Sequence, residues 1–208
     1  MIFDEADKAI RTMNRENLKI FGKLKLAKWD SLTVIRDIAE AFDKSVQLAK
    51  KQYRRVARDA FIAALAAAHV TGRDRRAWAE ESIDDDWILD MLEEVDPVTL
   101  YSFNAETERK KDRLIEAVSK AENRNAEIDK ALRLWTRQIG QYADNSVSYA
   151  WIQALREAGV EEVVFHTQED ERVCDDCEPL DLTVYPIDDA PRLPLHWRCR
   201  CYYMPVTD

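Results

Sequence analysis

The chain has 208 residues, 46% hydrophobic and 34% charged, with only four glycines and a net charge of −9. That length holds one domain with an appendage or two small domains, and the composition is that of a helix-rich protein. No apolar run reaches the roughly 20 residues of a membrane span. No signal-peptide pattern opens the chain, so we expect it in the cytoplasm or in something assembled there.

The net charge hides a division. Residues 1–7 carry three acids and no base, residues 8–76 seventeen Lys/Arg against seven Asp/Glu, and residues 77–208 fourteen against thirty. From Ala77 to Val98 there are nine acids and no base. Such asymmetry fits either halves that complement each other when folded or a basic part that meets a polyanionic or acidic partner.

In chain order, Ile2 to Lys28 reads as a helix, weakened at Gly22, with Ile2, Ala6, Ile10, Met13, Phe21 and Leu24 near helical spacing. Ser31 to Val70 has no Gly or Pro, and its apolar residues step by three or four throughout. Asp30 or Ser31 is placed to cap it and Gly72 to end it. The opposite face carries Lys50, Lys51, Arg54, Arg55 and Arg58, a solvated face or a contact for DNA or an acidic partner surface. Gly72 to Val98 fits a short helix packed on the long one. We read Asp84-Asp85-Asp86 there as solvent-facing or helix-opening acids, because consecutive residues do not converge on one helix face. Asn104 to Gly159 is a second long helical stretch, capped at Asn104 and stopped at Gly159, with places to kink or split at Asn123-Arg124-Asn125 and at Gly140. Its Trp135, Tyr142, Tyr149 and Trp151 fall at helical spacing and read as core.

After Gly159 the period changes. Val160 to Thr167, Leu182 to Tyr185 and Arg200 to Met204 read as strands among proline-punctuated loops. The expected architecture is mainly α, with an elongated helical domain over 1–159 and a small β-rich module over 160–208, an α+β class. The module is too small to bury much core and needs a staple.

All four cysteines are in that module. Cys174 and Cys177 form a Cys-x-x-Cys pair, and eighteen residues later follow His196, Cys199 and Cys201. Gathering of this kind suits zinc, which takes four Cys or His ligands at tetrahedral corners. Five candidates compete for four places. Cys174 and Cys177 supply the first knuckle, and two of His196, Cys199 and Cys201 the second. A disulfide needs an oxidising compartment. A redox Cys-x-x-Cys does not need the distal His and Cys residues, and no orienting group for a nucleophilic cysteine lies nearby. A full ligand set leaves no open position for substrate, so the expected zinc is structural. Residues 160–208 carry twelve acids and four bases, which disfavours phosphate binding by the module itself. The chain shows no paired catalytic carboxylates, Gly-rich phosphate loop or Ser/His/Asp arrangement, and we expect no enzyme activity.

The stretch His166-Thr-Gln-Glu-Asp-Glu-Arg-Val-Cys-Asp-Asp-Cys177, then Tyr185-Pro186, then Pro194-Leu-His-Trp-Arg-Cys-Arg-Cys201 resembles the signature of phage head morphogenesis proteins, the minor head (minor capsid) proteins of the Mu F-like family. Asp96-Pro-Val-Thr99, Glu108 to Arg113 and Glu157-Ala-Gly-Val160 resemble stretches in minor capsid proteins of tailed phages of Gram-positive hosts. Leu182 stands where the family usually has the glycine of Leu-Asp-Gly, and Trp197 where a proline is common. The resemblance implies a low-copy virion component at the portal vertex or capsid interior. It implies the portal and major capsid proteins as partners, contact with double-stranded DNA as an option, and roles in assembly, DNA packaging or ejection. The alternative is a nucleic-acid-binding or regulatory zinc-ribbon protein that uses the basic helical face. Neither reading calls for a membrane or a small-molecule substrate.

Overall fold

The computed structural model of the chain describes residues 2–26, 31–96, 99–168 and 175–206. The helices are α1 (Asp4–Leu24), α2 (Ser31–Ala67), α3 (Arg75–Ser82), α4 (Asp85–Glu93), α5 (Phe103–Lys120) and α6 (Arg124–Glu157). They are followed by strands β1 (Glu162–His166), β2 (Val184–Pro186) and β3 (Tyr202–Pro205), with a single 3-10 turn at Glu178–Leu180. The chain is therefore α+β, a helical body with a small antiparallel sheet at its C-terminal end.

At 1.5 Å per residue the 37-residue α2 is about 55 Å long. It stays helical because its buried residues, among them Ile38, Phe42, Ala49, Tyr53, Val56 and Ala60, keep one apolar stripe turned to α1 and α6. It stops earlier than Gly72. His69 takes a left-handed conformation at φ 54, and the His69 and Val70 N–H groups donate to the Ala66 and Leu65 carbonyls. This closes a Schellman motif without glycine. Gly159, at φ 75, closes the same motif on α6 through bonds to Arg156 and Leu155. The 72–98 segment holds two helices, not one. The carboxylate of Asp74 accepts from Arg76 and Ala77 N–H to start α3, and that of Asp84 accepts from Trp87 N–H to start α4. The second helical stretch does split at 123–125, where Asn123 caps α6, and Ser102 rather than Asn104 caps α5. Gly140 leaves α6 unbroken and lies beneath Ile10 of α1.

From Gln138 to Ser148 every residue of α6 is buried, which makes it the central helix of the body. Two core clusters flank it. One holds Phe21, Phe42, Phe103 and Trp135. There the Trp135 ring meets Phe42 at 5.1 Å and its N–H donates to Ser45 Oγ at 2.5 Å. The other joins Phe3, Phe61 and Trp151 to Val163, Phe165, Cys177, Cys199 and Tyr203, so the sheet shares its core with the ends of three helices. The expectation that the aromatic residues of α6 are core holds for Trp135, Tyr142 and Trp151, with Tyr149 partly exposed.

β1 lies between its neighbours in the order β2-β1-β3, both pairings antiparallel. Val164 pairs with Val184 and Met204, and His166 with Tyr202. β2 ends beside Glu162, while β3 begins beside His166. The chain between them must therefore run back along the length of β1. That return brings it to the same end of the sheet as the β1–β2 connection, and Cys177, Cys199 and Cys201 gather there.

Candidate metal centre

Three ligand atoms converge at this end: Cys177 Sγ, His196 Nε2 and Cys199 Sγ lie within 4.8 Å of one another. Cys177 Sγ is 3.0 Å from His196 Nε2 and 3.9 Å from Cys199 Sγ. Two thiolates at ~2.3 Å from a tetrahedral zinc stand ~3.8 Å apart, so the sulfur pair already spans one edge of such a site. The His196 edge is shorter than a bound ion requires, and the ring must retreat by roughly 0.5 Å to admit one. Cys201 adjoins the cluster, its buried thiol near those of Cys199 and Cys177. Cys174 lies outside the described residues. The grouping of buried thiols with an imidazole is compatible with a structural metal ion.

Each ligand is held from behind. His196 Nδ1 is 3.1 Å from the Trp197 carbonyl, which can only accept, so Nδ1 carries the proton and Nε2 presents a lone pair to the cluster. Cys177 precedes the 3-10 turn, and the Leu180 N–H donates to its carbonyl. The Cys199 N–H donates to the His196 carbonyl, closing a tight turn with Arg198 at φ 63. The Cys201 thiol beside it, assisted by backbone groups at Cys201 and Leu195, lowers the Cys199 thiol below its ordinary value. The Cys199 thiol pushes Cys201 the other way, with burial adding to the rise. Cys199 is thus disposed to be a thiolate, the form a metal binds.

A buried polar chain ties this loop to the helical body. Arg198 N–H donates to Gln141 Oε1 at 2.6 Å, Gln141 Nε2 to Asn145 Oδ1 at 2.8 Å, and Asn145 Nδ2 to Asp96 Oδ2 at 2.8 Å. The other Asp96 oxygen accepts from Thr99 N–H at 2.7 Å and holds the turn before α5. Reading α6 by its apolar stripe misses Gln141 and Asn145. The signal for them is the cluster of amides and hydroxyls between Gln138 and Ser148, too polar for one face and too apolar for the other.

The basic residues of α2 are mostly engaged within the fold. Arg54 pairs with Asp85, and Arg55 pairs with Glu5 at 2.8 Å. Arg58 Nε donates to the Ile83 carbonyl at 2.8 Å. Lys50 and Lys51 make no ion pair among the described residues. The charge division along the sequence is thus partly answered inside the molecule. Comparison with protein-family models, curated proteins and solved structures found no match.

Proposed function

We propose that the chain is a minor head protein of a tailed phage: a low-copy, portal-associated structural component acting in head morphogenesis, DNA packaging or ejection. We further propose that zinc on Cys177, His196, Cys199 and one of Cys174 and Cys201 staples its C-terminal part. One observation carries the reading. Asp96–Thr99 and Pro194–Cys201, two stretches that resemble this family and are nearly a hundred residues apart, lie at the two ends of one buried hydrogen-bonded chain through Gln141 and Asn145. Stretches that share a resemblance are expected to share a structural job, and here the job is to fix the metal loop on the helical body. Leu182 adds support: it adopts φ 61, a conformation that favours glycine, where the family usually has one.

The proposed role of zinc is structural. Cys177, Cys199 and Cys201 are each at most 5% exposed, and four protein ligands leave no position for substrate. The portal and major capsid proteins are the proposed partners and the virion the proposed location. The nucleic-acid alternative draws less support, since Arg54, Arg55 and Arg58 are committed to internal partners. Quantitative mass spectrometry of particles and procapsids from the encoding phage or prophage tests the proposal. A few to some tens of copies per particle, counted against portal and major capsid protein, is the expected result. Absence from both particles and procapsids rejects it.

A further inference from the structure

A cleft of ≈ 940 Å³ opens where α4 and α6 face residues 188–193, on the way to β3. Its floor is apolar: Met91, Leu193 and Tyr203 are buried, Trp87 and Ile152 half-buried. Its rim is acidic, with Asp90 and Glu93 on α4, Glu94 at its C-cap and Asp188 across from them. Two arginines also line it, and a rim carboxylate neutralises each. Arg192 lies 2.6 Å from Glu94, and Arg156 lies 3.5 Å from Asp188. Asp90 and Glu93 are left exposed, without an ion pair among the described residues. Carboxylates held beside an apolar floor favour a ligand that brings both cations and apolar surface.

The chain shows how the cleft receives a cation. The Arg192 guanidinium sits 5.2 Å from the centroid of the Tyr149 ring, donates to Tyr149 Oη at 3.3 Å and meets Glu94. An aromatic face with a carboxylate beside it is a guanidinium site. Asp90 and Glu93 extend the acidic edge along α4 from there.

We propose that this cleft docks an amphipathic basic helix of a partner protein, its apolar residues on the Trp87–Ile152–Leu193 floor and its Lys or Arg side chains on Asp90 and Glu93. This is the helix-in-groove mode of recognition. Charge complementarity selects the occupant. A phosphate backbone is repelled by the rim, and a second copy of this chain is the competing occupant that the test below separates. The inference stands on the cleft alone and does not depend on the virion reading.

The test uses the full chain and a fluorescent synthetic peptide with Leu at i, i+3, i+4 and i+7 and Lys elsewhere, titrated by anisotropy at physiological salt. A scrambled peptide of the same composition is the control. Saturable one-to-one binding is expected, at least several-fold tighter than to the scrambled peptide. The exposed double substitution Asp90→Asn/Glu93→Gln is expected to weaken it about fivefold to tenfold, as loss of two rim ion pairs implies. Ile152→Asn is expected to weaken it through the floor. No binding, equal binding of the scrambled peptide, or indifference to both variants overturns the proposal. Self-association of the chain abolished by the same substitutions also overturns it, in favour of a second copy as occupant.

Discussion

The sulfur of Cys199 illustrates how much one residue position decides. It sits 3.9 Å from Cys177, has the Cys201 thiol beside it and is turned inward by a backbone bond to His196. Cys177→Ser, His196→Ala and Cys199→Ser are each expected to abolish one-to-one zinc retention, read by metal analysis and by the thiolate charge-transfer band of the cobalt-substituted protein. Cys174→Ser and Cys201→Ser identify the fourth ligand: the variant that loses zinc carries it, and retention by both would reject a four-ligand site of this chain. A second prediction concerns Leu182, which is 66% exposed and held at φ 61 with its N–H bonded to the Phe165 carbonyl. Left-handed backbone costs an L-residue roughly 1–2 kcal/mol, and little burial is lost on truncation here. Leu182→Gly is therefore expected to raise stability by about 1 kcal/mol, less the added chain entropy of glycine, in chemical denaturation. An unchanged or lower midpoint would mean the strain is absent.

At the scale of elements, the seam between α1 and α6 is the least well satisfied contact. Ile10 over Gly140 and Lys25 paired with Asp129 show that the two helices run antiparallel. Between those points Asn17 and Gln138 bury both their side-chain polar atoms, and Asn14 its Oδ1, with no hydrogen-bond partner among the described residues. An orphaned buried polar group costs about 1–3 kcal/mol. Asn17→Leu, which keeps the branching of the side chain but is bulkier, is expected to stabilise the protein by about 1 kcal/mol in urea unfolding where the seam accepts the two methyl groups. A loss of stability instead would show that bridging water satisfies the amides. The opposite case is α6 against the metal loop, where Gln141 and Asn145 are bonded to each other and onward at both ends. A network satisfied in this way fixes one arrangement of the elements.

For the whole molecule, the candidate metal site belongs to one of two core clusters. Cys177, Cys199 and Cys201 pack with Phe3, Phe61 and Trp151, while Phe42, Phe103 and Trp135 form the other cluster. Structural zinc in small peptides supplies ~10–16 kcal/mol of apparent folding free energy. Chelation is therefore expected to raise amide exchange in β1, β2, β3 and the helix ends of the first cluster. Protection around Trp135 should be left nearly unchanged. Uniform loss of protection would mean the clusters unfold together. Alkaline pH bears on both. Burial raises the hydroxyl groups of Tyr53, Tyr142, Tyr149 and Tyr203 above the ordinary value of 10.0. The unfolded chain gives up these protons first, so their contribution is complete below pH 10 and is lost as pH rises through the folded values. Melting temperature is expected to fall steeply above pH 10, with these tyrosines titrating only as the fold opens. A normal tyrosine titration in the intact fold would refute this.

Periodicity alone determined most of the architecture: the helical spans, the break at Asn123, the stop at Gly159 and the three strands are all local patterns of polarity and capping chemistry. The sequence also marked Cys174, Cys177, His196, Cys199 and Cys201 as five candidates for one cluster, because cysteines and histidine gathered at two ends of a loop have few other uses, and the fold is what brings Cys177, His196 and Cys199 within 4.8 Å. Tertiary structure decided what depends on distant partners. The end of α2 fell to His69 because two backbone bonds outweighed a non-glycine left-handed residue. The buried amides of α6 became a tether because Arg198 and Asp96, far apart in sequence, arrive at its two ends. Arg54, Arg55 and Arg58 found partners within the chain because carboxylates and carbonyls from α1, α3 and α4 were packed within reach. Local order is written in spacing and turn chemistry, whereas the partner of a polar side chain is set only when the chain has folded back on itself.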